Sequence, residues 1–205
     1  MDGERAAGNK AFQGLVFQGN AYEGLTCNAL EWQVSNGGGT IIDKSGKVTV
    51  NNPQAIAAFE RAHGWVGTIA PTSVTTFVEA DSLNVWIAGN SAFMRNWPYA
   101  FAASQDVKQS KIAGKLNVSI LPKGDGADAR NADCLGGWQL MVSKFSKEPE
   151  ASEEFVKYMC SPEVQKSFSI ERRDSPAMRR LVASRTSSAS SSTTTPALKS
   201  YPNAR

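Results

Sequence analysis

The stretch Ser91–Phe101, S-A-F-M-R-N-W-P-Y-A-F, most constrains what this chain can fold into. It reads as a short buried strand, Ser91 to Asn96, whose end delivers Trp97 and Tyr99 into a turn where Pro98 starts a helix. Pro suits a first helical position because the amide it lacks would be unpaired there anyway. An aromatic pair held at a strand-to-helix junction forms a rigid platform at a sheet rim, where open α/β sheets place their ligands.

A second stretch repeats the pattern. In Cys134–Val142, C-L-G-G-W-Q-L-M-V, Gly136 and Gly137 allow close backbone approach just before Trp138, and a strand is expected from Trp138 to Ser143. A lone Trp is more often packed than presented, since aromatic burial dominates its use. Two indole faces at two such junctions suit a flat, partly apolar, hydroxyl-bearing ligand, and a sugar fits that description.

The remaining elements are read from periodicity and punctuation. Residues 1–14 form a flexible flank, and Leu15–Gln18 a short strand ending at Gly19. A helix runs from about Tyr22 to Val34, with Leu25, Ala29 and Trp32 at helical spacing, and stops at Asn36 and the Gly37–Gly39 triplet. Ile41–Asp43 and Lys47–Val50 flank Ser45-Gly46 as a surface hairpin. Asn52-Pro53 opens a helix whose face is Ile56, Phe59, His63 and Val66, His63 having a structural role. A further helix is expected from about Ser73 to Ala88, and a strand over Leu116–Leu121, where apolar residues alternate. Pro122–Cys134 is a solvated loop. Pro149–Met159 is an amphipathic helix with Ala151, Phe155, Val156 and Met159 inward, and Pro162 restarts a helix. From Arg173 the text turns to Ser, Thr, Arg and Ala, with almost no large apolar residues, so residues 173–205 are expected to be disordered.

Composition narrows the function classes. With 41% hydrophobic residues over 205 positions there is enough for a real core. The net charge of +3 comes from Arg crowded near the end of the chain, so it does not point to nucleic acid. Three cysteines, Cys27, Cys134 and Cys160, with no C-x-x-C pair and one His, exclude a zinc site. Buried free thiols are expected, and a Cys27–Cys134 bridge stays open. No cofactor motif is present: the glycine triplet lacks the Lys-Ser/Thr pair of a phosphate loop. The N-terminus has no apolar stretch to act as a secretory signal, so the chain as written is expected to stay where it is made.

Order and spacing add a resemblance. F-Q-G-N-A-Y-E-G-L-T-C-N from Phe17, S-N-G-G-G, A-G-N-S-A-F-M-R-N-W-P-Y-A from Ala88, L-P-K-G at Leu121, L-G-G-W-Q-L at Leu135 and P-E-A-S-E-E-F-V-K-Y-M followed by S-P-E-V-Q-K together resemble the extracellular solute-binding proteins of ABC sugar importers, the maltose- and trehalose-binding branch most of all. The resemblance covers residues 15–172 and implies an α/β fold, the C-terminal lobe of a two-lobed periplasmic-binding-protein-like architecture whose first lobe is absent here. It implies a disaccharide or oligosaccharide as ligand, ABC permease subunits as partners and a periplasmic or extracellular location. It assigns sugar stacking to Trp97 and Trp138, with Tyr99 assisting, amide donation to Gly136 and Gly137, and hydroxyl contacts to Tyr22, Glu23 and Arg172. The abrupt change at residue 173 is what a reading-frame shift in the coding sequence would produce. A rival reading makes Glu23 and Glu31 the acid and base of a glycoside-cleaving enzyme, but eight residues of helix separate them by about 12 Å, beyond either glycosidase geometry.

Overall fold

The computed structural model describes residues 1–171 apart from Trp138. Arg172 and the expected tail, residues 173–205, therefore lie outside the described residues, as does Trp138.

Two strands pair in parallel, β1 (Gln13–Val16) and β2 (Ser91–Met94), in the register Gln13 to Ser91, Leu15 to Phe93 and Val16 to Met94. A parallel pair cannot be joined by a tight turn. The crossover here is long: α2 (Glu23–Ser35), α3 (Pro53–Trp65), a 3-10 turn (Thr72–Thr76) and α4 (Glu79–Ile87). Beyond β2 come α5 (Tyr99–Gln105), α6 (Pro149–Met159) and α7 (Pro162–Glu171). In the region expected to be a loose flank, α1 (Asp2–Ala6) forms, and Asn9 Nδ2 donates to Asn90 Oδ1 at 3.1 Å. The other side of β1 is also occupied, because the amides of Gly14 and Leu15 both donate to Ile69 O, at 2.7 and 3.0 Å.

The core is aromatic. Phe17, Ala70 and Val74 are buried, with Leu15, Trp32, Trp65, Val66 and Phe77 packed around them. Phe17, Trp32 and Trp65 meet edge to face, with centroids 5.3 to 6.4 Å apart. That geometry sets the positive ring edge against the negative face of the next ring.

Several expectations change once packing is seen. In α3 the buried stripe is Ala55, Ala58 and Ala62, while Ile56 and His63 are exposed. Small side chains let α3 approach α2 and the Gly38 backbone closely, a contact that Ile56 is too large to make. Asn52 caps this helix as expected, its side chain accepting from Ala55 N at 3.0 Å. In α2 the buried residues include Gly24, Cys27, Asn28, Glu31 and Gln33, whereas Leu25, Ala29 and Trp32 are only half-buried. The inward face is therefore polar, which hydrophobic periodicity cannot reveal. The helix expected over residues 73–88 is broken at Phe77. Thr75 and Thr76 hydroxyls donate back to the Thr72 and Ser73 carbonyls, and Asp81 accepts from Val78 N at 2.9 Å to start α4 afresh.

The strand expected at Leu116–Leu121 does not form, and residues 139–143 of the strand expected at Trp138–Ser143 are not strand either. Alternation creates a half-buried face only where another strand accepts the ladder, and among the described residues β1 and β2 are the only strands. α6 forms from its own amphipathic pattern, yet none of its residues is buried, and Phe155, expected inward, is exposed. Phe93 on β2 is 71% exposed and Met141 89%.

Candidate functional site

The site is built around a carboxylate that the sequence did not single out. Trp97 follows β2, and its indole Nε1 donates to Glu79 Oε1 at 2.9 Å, fixing the ring against the first turn of α4. The Arg95 guanidinium lies over the same ring, with Cζ 4.1 Å from the centroid. Residues two apart in an extended segment share a face, which brings Arg95 and Trp97 together. One indole face is thus covered by a cation, which adds about 1 kcal/mol or more of attraction. The ring is half-buried.

Arg95 is itself held in a buried network. Its Nε donates to Glu31 Oε2 at 2.9 Å, its Nη2 to Glu31 Oε1 at 2.5 Å and its Nη1 to Gln18 Oε1 at 3.0 Å. The Arg95 and Glu31 side chains are 8% and 3% exposed. Gln18 Nε2 donates to Ser82 Oγ at 2.7 Å, and Asn28 Nδ2 donates to Gln18 O at 2.9 Å. This network occupies the polar face of α2 and ties α2, β1, β2 and α4 into one support for Trp97. It also removes Glu31 from the rival acid–base pair, since both its oxygens are committed to Arg95.

The double-glycine loop arrives at the same place. The amides of Gly124 and Arg130 donate to Ser35 O at the end of α2, capping an otherwise orphaned carbonyl, and Arg61 bonds Asn36 Oδ1 and Asp125 Oδ1. The loop then runs to Cys134, whose amide donates to Glu31 Oε1 at 3.2 Å. Gly136 follows at the ring of Trp97: a Cβ there would stand 3.0 Å from Trp97 Cη2. Among the described residues no hydrogen bond occupies the amides of Gly136 and Gly137, and both glycines are exposed.

Two phenols face Glu79. Tyr22 precedes α2, and its ring folds over Gly24 so closely that a Cβ at Gly24 would overlap the hydroxyl. Tyr22 Oη is buried beside the Glu79 carboxylate without closing a well-aligned hydrogen bond to it. Burial first, and the Glu79 carboxylate second, push the Tyr22 pKa above its ordinary value. Tyr99 begins α5 and is exposed at 44%; partial burial first and the Glu79 charge second raise its pKa as well. Burial works against ionisation of Glu79, but the hydrogen bond from Trp97 and the nearby Tyr22 hydroxyl dipole, with help from the Arg95 charge, hold its pKa below the usual carboxylate range. Glu79 therefore stays ionised, ringed by aromatic N–H and O–H groups. Glu23, in contrast, is exposed and accepts from Cys27 Sγ at 3.0 Å.

Trp97, Tyr99, Tyr22 and Gly136 thus converge, Gly137 lies next to them in the loop, and Trp138 and Arg172 fall outside the described residues. Sequence reasoning missed Glu79, Arg95 and Gln18. Only the alternation of Arg95 with Trp97 could have signalled any of them. A hollow lined by Tyr22, Leu25, Ile41, Val50 and Phe59 among others shares Tyr22 with the cluster. Among the described residues no group of three His, Cys, Asp or Glu could hold a metal ion, and no helix is long and apolar enough to cross a membrane.

A parallel strand pair with a helical crossover, carrying its aromatic cluster beyond the carboxyl end of a strand, is an α/β arrangement with its candidate site at the strand rim. The chain belongs to the bacterial extracellular solute-binding protein family, whose model matches residues 7–166. It is 51% identical over 176 residues to a probable ABC transporter-binding protein of Deinococcus radiodurans, a match covering 86% of this chain and 41% of that protein. Its fold superposes on maltose-bound MalE3 of T. maritima with a TM-score of 0.68 and 37% identity, covering 79% of this chain and 41% of the other. A ribitol complex of a solute-binding protein from Agrobacterium radiobacter gives a TM-score of 0.63 at 23% identity, covering 78% and 40%. The chain thus spans about two fifths of the length of these relatives.

Proposed function

We propose that this chain provides the C-terminal lobe of a carbohydrate-binding subunit of an ABC importer, working outside the cytoplasm with permease subunits and a first lobe as partners. The ligand is a disaccharide or oligosaccharide of the maltose or trehalose type. The observation that carries the reading is Trp97, half-buried and fixed by Glu79 and Arg95 so that one ring face is backed by a cation, with the exposed Gly136 beside the ring. A sugar's C–H face packs on such a ring, and its hydroxyls find acceptors and donors in Glu79, Tyr99 and the amides of Gly136 and Gly137, with Tyr22 taking part through its partly exposed ring. Trp138, Arg172 and Glu23 are proposed to complete the contacts. Carbohydrate as the ligand class is supported by the maltose bound to MalE3 and the ribitol bound to the Agrobacterium protein.

One Trp face removes about 100 Å² from water and contributes about 2.5 kcal/mol. Micromolar affinity needs roughly 8 kcal/mol, so stacking alone is insufficient and enclosure must supply the rest. A second reading, in which the lobe binds only when completed by further polypeptide, is favoured by the exposed apolar side chains Leu135, Met141 and Phe145 on the segment that follows the site. Tryptophan fluorescence during titration with maltose and trehalose tests the proposal. A saturable shift lost in Trp97→Ala supports binding by this chain. A folded sample with no response to either sugar refutes it for the isolated chain, and recovery on adding a first lobe selects the second reading.

A further inference from the structure

One pair of side chains beside the site is not used by the reading above. Cys27 lies on the inward face of α2, one turn before Glu31, so the two side chains point the same way. Glu31 Oε1 accepts the amide of Cys134 at 3.2 Å, which holds the Cys134 backbone against that face. The Cys134 side chain in turn interacts with the Cys27 thiol. The residues are 107 positions apart in sequence, yet the buried Glu31–Arg95 pair and the loop bonds to Ser35 bring them together. All three cysteines are free thiols: Cys27 is buried, Cys134 half-buried and Cys160 exposed, the last contrary to the expectation of burial.

We propose that Cys27 and Cys134 are a reversible redox pair, in which thiol–disulfide exchange with a small-molecule disulfide closes a bridge that pins the double-glycine loop to α2. The order of events follows from access. Cys134 meets the oxidant first, because Cys27 is covered. Its thiolate attacks one sulfur of the external disulfide, forming a mixed disulfide and releasing one thiolate. Cys27 then attacks the Cys134 sulfur, the Cys27 S–H proton passes to Glu23 Oε1, 3.0 Å away, and the second external thiolate leaves. Two protein thiols and one external disulfide become one protein disulfide and two external thiols, the two protons passing to the released thiolates by way of Glu23 and solvent. Burial first, then the contacts with Glu23 and Cys134, push the Cys27 pKa up to about 12, so Cys27 does not initiate exchange and depends on Glu23 as its proton acceptor. Bridge formation also removes the S–H donor from Glu23. The proposal does not depend on the identity of any sugar.

The test uses the full 205-residue chain and oxidised glutathione, followed by denaturation, alkylation with iodoacetamide and peptide mass mapping. The expected result is a Cys27–Cys134 linked peptide, with the exposed Cys160 recovered either alkylated or as its own glutathione adduct. The link must persist in Cys160→Ser. In Glu23→Gln the Cys134–glutathione adduct should accumulate, with closure slowed at least tenfold while the first exchange keeps its rate. Three alkylated cysteines after oxidation would overturn the pairing, as would a glutathione adduct on Cys134 that never resolves in the unsubstituted chain or a link that involves Cys160.

Discussion

Replacing Glu31 by glutamine isolates the charge that supports Trp97. The substitution keeps the shape of the side chain and leaves an oxygen for the Cys134 amide, but it withdraws the only carboxylate bonded to Arg95 among the described residues. The guanidinium is 8% exposed and cannot recover its hydration in place. Breaking such a pair by removing one partner costs about 3–5 kcal/mol, because the other charge is left buried without compensation. That is a large fraction of the roughly 5–15 kcal/mol that holds a domain together. With a urea m-value of about 2 kcal/mol per molar, a loss of about 4 kcal/mol lowers the unfolding midpoint by about 2 M. The core indoles Trp32 and Trp65 report the transition by fluorescence. Should Glu31→Gln leave too little stability to measure, the double variant Glu31→Leu, Arg95→Met supplies the second reading. Removing both charges together costs less than removing one, so it must be more stable than Glu31→Gln. A midpoint shift below about 0.5 M for Glu31→Gln, or a double variant no better than the single, refutes the account of this network.

Trp97→Ala should weaken any measured sugar affinity by about 60-fold, the equivalent of one lost stacking face, and isothermal titration checks this. Glu79 has a depressed pKa in the folded chain, so its contribution to stability is complete above the unfolded glutamate range of about 4.3 and is lost as pH falls through the lower folded value. Glu79→Gln should flatten that acid limb in thermal melts from pH 6 to pH 3, and an unchanged limb counts against it. Gly19→Ala puts a Cβ into the Val74 carbonyl, a backbone clash that no rotamer relieves, and should destabilise by about 1–3 kcal/mol in urea titration. Asn52→Ala removes the α3 cap and should cost about 1 kcal/mol by the same measurement.

Much of the local structure was legible because it depends on neighbours in the chain. Asn52-Pro53 starts α3, Asn36 and the glycines end α2, and Pro149 and Pro162 open α6 and α7, since caps and proline act within a turn of their own position. The Trp97-Pro98-Tyr99 junction was legible for the same reason. Misreadings arose wherever the deciding partner is remote. The Ile56 face of α3 yielded to a stripe of alanines because α2 packs closely there. The alternation over Leu116–Leu121 formed no strand for want of a ladder partner.

Residue types and spacing alone determined that this chain carries an aromatic platform after a strand, a double-glycine loop and no metal-binding spacing. Only the tertiary structure decided that Glu79 anchors the platform, that Arg95 backs it and that Glu31 serves as a counter-ion instead of a catalytic acid. Glu79 and Glu31 lie 18 and 64 positions from the residues they hold, separations over which no local pattern carries information. Charges come together there because burying one without the other would cost more than the fold can bear.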